Sequence, residues 1–241
     1  LEGRTAVVTG ASSGIGRAIA LAMAGEGIRL VLLGRRLDAL NEVARQARAT
    51  TSSAEAVQLD LLSDQETSTI ASRMQEHAAQ VDFLIHCAGI FVPGYLDQAP
   101  AEDLDRQYRV NVRGPYVLSQ AVLPLMPAPG GQIVFLNSSV ALSARGSVGQ
   151  YAATKNALKA IADTLREEVN LRGIKVTSIY LGRTATPMQA AIHAWENRPY
   201  HPELLLQPED IAALVIRTLA LPPTAEITDI RIRPMRKLPE T

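Results

Sequence analysis

Short apolar runs rich in β-branched residues alternate along this chain with longer stretches whose apolar positions recur every three or four residues. The runs at residues 5–9 (TAVVT), 29–33 (RLVLL), 56–59, 82–86 (DFLIH), 133–136 (IVFL), 175–181 (KVTSIYL) and 227–232 predict seven β-strands. Between them, helices are predicted over 17–22, 37–49, 63–79, 100–125, 151–171 and 208–219. Ser63 is a candidate N-cap, and Glu209-Asp210 place negative charge in the first turn of the last helix. The helix from residue 151 carries an apolar stripe of Leu158, Ile161, Leu165 and Val169. Its other faces are small, with Ala152, Ala153, Ala157 and Ala160. Strands alternating with helices imply an α/β fold, doubly wound, with a parallel sheet covered by helices on both faces. The expected strand order is 3-2-1-4-5-6-7, with a ligand crevice at the C-terminal strand ends.

Composition narrows the picture. The chain has 241 residues, 47% hydrophobic and 20% charged, enough for one large domain spanning 1–241. Its net charge is zero, so there is no electrostatic case for nucleic acid or for an acidic membrane surface as partner. Cys87 is the single cysteine, which excludes an internal disulfide and points to a reducing compartment. No signal peptide is visible and no apolar run approaches the ~20 residues of a membrane span. The expected location is cytoplasmic. Four scattered histidines and one cysteine give no metal-ligand spacing, so no metal is expected.

Two stretches carry chemistry. After the first strand comes Gly10-Ala11-Ser12-Ser13-Gly14-Ile15-Gly16, then a helix. Glycines let a ligand approach the backbone, and a helix N-terminus offers unpaired N–H groups, so strand, loop and helix make a phosphate site. The second stretch is Tyr151-Ala152-Ala153-Thr154-Lys155. On a helix, Tyr151 and Lys155 share a face. A fixed positive charge there is expected to pull the phenol pKa down from about 10 toward neutrality. An isolated Tyr-x-x-x-Lys is ordinarily a buried tyrosine and a surface lysine.

The order of the motifs gives the pair its meaning. Thr-Gly-x-x-x-Gly-Ile-Gly at 9–16 followed by Tyr-x-x-x-Lys resembles the short-chain dehydrogenase/reductase family, and the resemblance runs from Thr9 to about residue 233. It implies a Rossmann fold and a nicotinamide cofactor. The implied cofactor contacts are Gly10, Ser12, Ser13, Gly14, Ile15 and Gly16 in the loop, Asp60 and Leu61 at the adenine, and Ala88 and Gly89 beyond the fourth strand. Tyr151 and Lys155, then Gly182, Thr184 and Thr186 near the nicotinamide, complete the set. After the second strand, an acidic residue would bind the ribose 2′-OH of NAD. Arg35 and Arg36 stand there instead and can meet a 2′-phosphate, so NADP(H) is preferred over NAD(H).

The implied catalytic set is Asn111, Ser138, Tyr151 and Lys155. Seven residues from Gly131 and thirteen back from Tyr151, the family spacings land on Ser138, with Ser139 as the alternative. Cys87 stands where the family usually has an asparagine that braces the sheet, and cannot supply that donor and acceptor pair. His86 reads as a core histidine. Pro115 leaves the main-chain carbonyl of Asn111 without its helical donor, as a seat for a relay water. Residues 183–206 form the implied substrate lid. Its apolar content, including Ile192, Trp195, Tyr200 and Leu204 to Leu206, suggests an uncharged carbonyl substrate. Arg183 and a tail resembling that of hydroxy-acid dehydrogenases, Ile232 to Lys237, point the other way. The function implied is hydride transfer between NADP(H) and a small carbonyl or alcohol. The alternatives are a 3-oxoacyl reductase-type enzyme and a non-catalytic NADP-binding regulator on the same fold. A homodimer or homotetramer is expected through the long helices.

Overall fold

The structure, a computed structural model, describes residues 1–236. Seven parallel strands form one sheet in the order β3-β2-β1-β4-β5-β6-β7, as expected. They are β1 (Thr5–Thr9), β2 (Arg29–Gly34), β3 (Ala54–Gln58), β4 (Phe83–His86), β5 (Gln132–Ser138), β6 (Lys175–Leu181) and β7 (Asp229–Ile232). Successive residues of a strand point to opposite faces, and here both faces are covered. Ala6, Val8, Leu30, Leu32, Phe83 and Ile85 pack on one side against α1 (Gly14–Gly25), α2 (Leu37–Ala47) and α9 (Pro208–Leu219). Val7, Val31, Leu33, Leu84, Ile133 and Phe135 pack on the other, against α4 (Ile70–His77), α6 (Gly114–Val122) and α7 (Gly149–Val169). Among the described residues no helix is long and apolar enough to cross a membrane.

Three elements depart from the sequence pattern, each for a local reason. The helix expected over 63–79 is two helices, α3 (Asp64–Ser68) and α4, joined at Thr69. The hydroxyls of Thr67, Ser68 and Thr69 donate to the carbonyls of Ser63, Gln65 and Glu66, competing with the helix ladder. Ser63 caps α3 as expected, its Oγ accepting from the Glu66 N–H at 3.1 Å. The helix expected over 100–125 is α5 (Ala101–Tyr108), a π turn (Arg109–Arg113), α6 and a short 3₁₀ turn (Leu123–Leu125). In the π turn the Gly114 N–H reaches back to the Arg109 carbonyl, one residue further than in an α-helix. Pro115 follows at the start of α6. β5 extends past its apolar run through Asn137 and Ser138, pairing Ser138 with Leu181.

Candidate active site

Strand order reverses between β1 and β4, and there the C-terminal strand ends open into a cleft of about 1010 Å³. At one end, Gly10 and Gly14 take positive φ, 65° and 53°. A Cβ on Gly16 would lie 2.4 Å from the Gly10 carbonyl oxygen, so only glycine lets α1 start against the loop. No side chain caps α1, so its first N–H groups remain for a ligand on the cleft side. Arg35 and Arg36 line the same end, and an Arg36 guanidinium nitrogen lies 3.4 Å from Ser12 Oγ. Gln58 Nε2 donates to the Arg35 carbonyl at 3.0 Å and holds that turn. Asp60 fixes the next loop by accepting from the Leu62 N–H at 3.0 Å, while its own N–H donates to Glu66 at 2.8 Å. Across the cleft, Gly182 passes under the segment after β7, and Thr186 caps α8 (Pro187–Trp195) by accepting from the Gln189 N–H. All the implied cofactor residues, from Gly10 to Thr186, line this one cleft.

Of the expected catalytic residues, Ser138, Tyr151 and Lys155 line this cleft, while Asn111 lies buried behind it. Tyr151 and Ser138 lie together in the cleft, with Ser138 acting on the phenol, whereas Ser139 is exposed at the rim. Phe91 packs edge-on against the Tyr151 ring, centroids 5.1 Å apart. Lys155, only 4% exposed, lies over that ring at 5.8 Å from its centroid and donates to the Leu136 carbonyl at 3.0 Å. Asn111, fully buried on the π turn, has its side chain occupied: Oδ1 accepts from the Ile90 N–H at 2.8 Å. Its Nδ2 donates to the Ile90 carbonyl and to Thr154 Oγ1.

One electrostatic expectation fails. Burial pushes the Tyr151 phenol up to about 12, opposed by the neighbouring Ser138. Burial also brings Lys155 down to about 8, with Cys87 acting against the shift. The lysine sits against the ring face and a carbonyl, so desolvation of both groups outweighs their attraction. The phenol is therefore a firmly protonated acid at neutral pH.

Three supports were not legible in the sequence. Asn137 Nδ2 donates to the Lys155 carbonyl at 3.1 Å, and its Oδ1 accepts from the Ser138 N–H at 2.8 Å, tying β5 to α7 between Ser138 and Lys155. Thr9 Oγ1 accepts from the N–H groups of Cys87 and Ala88 at 3.0 and 2.9 Å, so a hydroxyl on β1 braces the end of β4. Thr154 links Asn111 to the Tyr151 carbonyl. Burial raises the Cys87 thiol to about 12, which makes it unreactive. His86 is a core residue, stacked on Phe135 and bonded to Ser119 through Nε2, with burial lowering it to about 3. Of the expected lid residues, Ile192 lines the cleft, Trp195 is largely exposed, and Leu205 and Leu206 are buried. Lys237, at the end of the tail singled out above, lies outside the described residues.

A doubly wound parallel sheet with a glycine-lined helix N-terminus and a Tyr–Lys pair in one cleft defines a Rossmann-type architecture. Residues 4–197 match the short chain dehydrogenase family, to which the chain belongs. An uncharacterized oxidoreductase of Staphylococcus haemolyticus is 32% identical over 98% of this chain and 99% of its own length. An alcohol dehydrogenase from the archaeon Thermococcus sibiricus, solved with 5-hydroxy-NADP, superposes with a TM-score of 0.87 at 26% identity, covering 99% of both chains. A metagenomic short-chain oxidoreductase solved with NADP gives 0.83 at 27% identity, covering 98% of this chain and 99% of the other.

Proposed function

We propose that this oxidoreductase transfers hydride between NADP(H) and a small carbonyl or alcohol substrate. The observation that carries the reading is Ser138 and Tyr151 together, with Lys155 one turn along the helix of Tyr151, in the cleft that holds the glycine loop. The Gly16 cradle and the uncapped start of α1 fit a pyrophosphate, and Arg35 and Arg36 fit a 2′-phosphate. Bound there, NADP(H) would supply or accept the hydride through its nicotinamide ring.

The chain's own residues handle the proton. Ser138 Oγ hydrogen-bonds the substrate oxygen and orients it beside Tyr151. Tyr151, protonated at neutral pH, gives its proton to that oxygen as negative charge develops. Lys155, near its own midpoint at about 8, returns a proton toward the phenol. Asn111 contributes through its main chain, since its side chain is engaged by Ile90 and Thr154. Its carbonyl, with Pro115 in the position of its α-helical donor, is the seat for a relay water. In the oxidation direction the same groups act in reverse.

The test is a panel of aldehydes, ketones and alcohols assayed with NADP(H) and NAD(H) by absorbance at the nicotinamide band. Turnover of some carbonyl compounds with NADPH is expected. Tight NADPH binding without turnover of any compound would favour the non-catalytic alternative.

A further inference from the structure

The cleft is far more basic than the chain that makes it. The whole sequence is neutral, yet eight basic and only two acidic side chains line the cleft. Arg35 and Arg36 follow β2, on the adenosine side of the strand switch, where a nucleotide's phosphates account for them. Arg145, Arg183 and Arg198 lie on the other side, in segments after β5 and β6, with Ser138 and Tyr151. Arg183 is already neutralised, forked onto Glu196 at 2.8 and 2.7 Å. Arg145 and Arg198 have no ion pair among the described residues.

Arg198 is held in place by the backbone. Asn197 takes φ 51° at the end of α8; its N–H bonds the Ala194 carbonyl, and the Arg198 N–H bonds that of His193 at 2.9 Å. This Schellman turn fixes where the arginine leaves the helix. Earlier on α8, Gln189 lines the cleft at 8% exposure, and its Nε2 has no hydrogen-bond partner. A buried amide donor left unpaired is costly to the fold, and a ligand group that accepts from it removes that cost. Met188, Ile192 and Val148 add apolar wall for a short hydrocarbon chain.

We propose that the substrate carries a carboxylate as well as its reacting carbonyl or hydroxyl, and that Arg198 and Gln189 bind that carboxylate, with Arg145 adding to the positive field. A planar guanidinium and an amide N–H together match the two carboxylate oxygens. The inference rests on the oxidoreductase reading and narrows it to oxo acids and hydroxy acids. It also replaces the uncharged substrate expected from the lid's apolar content, since Leu205 and Leu206 of that segment are buried rather than facing substrate.

The experiment compares 3-oxobutanoate, 4-oxopentanoate and 5-oxohexanoate with their methyl esters, each reduced with NADPH. At least one acid is expected to exceed its ester tenfold in kcat/KM. In Arg198→Gln and in Gln189→Leu the acid-to-ester ratio should fall at least tenfold, while the NADPH dissociation constant, read by fluorescence, stays within twofold. Esters equal or better at every chain length would overturn the carboxylate site and leave the oxidoreductase reading standing. If no probe is reduced, calorimetric titration of the acids into NADP⁺-saturated protein decides the matter. Binding that weakens in Arg198→Gln supports the site, and absence of binding by all three acids overturns it.

Discussion

At the scale of single residues, burial governs this site more than charge pairing does. Lys155 is nine-tenths buried and its ammonium is held by one carbonyl, so its pKa falls from 10.5 to about 8. A folded-state pKa below the unfolded value in a base means that the unfolded chain binds more protons between those limits. Stability therefore rises with pH from about 8 toward 10.5, and below 8 the charged lysine costs the fold on the order of 1–3 kcal/mol. Lys155→Met should raise the melting temperature at pH 7 while removing turnover, and its advantage should shrink at pH 10. A variant less stable than the parent at pH 7 would show that the lysine supports the fold. Arg35 makes the opposite kind of prediction, because it is exposed and the proposed function gives its charge to a ligand. Arg35→Ala should weaken NADPH binding by about 1.5–3 kcal/mol, one charge-assisted hydrogen bond, and hardly touch NADH. Equal losses for the two cofactors would remove Arg35 from the 2′-phosphate.

At the scale of elements, what was legible followed from continuous pattern. β1, β6 and α9 have the bounds their apolar runs and breakers imply. The π turn was not legible, because apolar periodicity through 100–125 barely changes when one residue is added to a turn. Pro115 was the local signal, and the wider turn seats Asn111 where both ends of its amide are paired. The extension of β5 was hidden for a related reason: Asn137 interrupts the apolar run, and its partners lie on another element. Thr9 is 78 residues from Cys87, and no spacing rule reaches that far. Pro115→Ala restores an N–H able to capture the Asn111 carbonyl and relax the π turn. The expected result is a fall in kcat of about tenfold or more, from a small displacement of positioned groups, with NADPH affinity nearly constant. Stopped-flow single turnover reads this directly, and an unchanged rate would mean that the freed carbonyl has no part in proton delivery.

At the scale of the whole molecule, topology gathers residues distant in sequence into one cleft. The β1–β4 reversal sets the glycine loop of residues 10–16 opposite Thr186, whose Cγ2 would be 3.2 Å from a Cβ on Gly14. The same edge brings Ser138 from β5 and Tyr151 from α7 into the same cleft. A neutral chain thereby gathers eight basic side chains around one cleft, which the overall composition conceals. The central claim is that this cleft delivers a proton from Tyr151 to a substrate oxygen. The most direct measurement is Tyr151→Phe, assayed for turnover on the best carbonyl compound of the panel and for NADPH binding by fluorescence on the same preparation. Phenylalanine keeps the ring against Phe91 and removes only the hydroxyl, so turnover should drop by at least about a thousandfold, at the level of a lost general acid, with NADPH binding retained. Turnover within a few-fold of the parent would contradict the account.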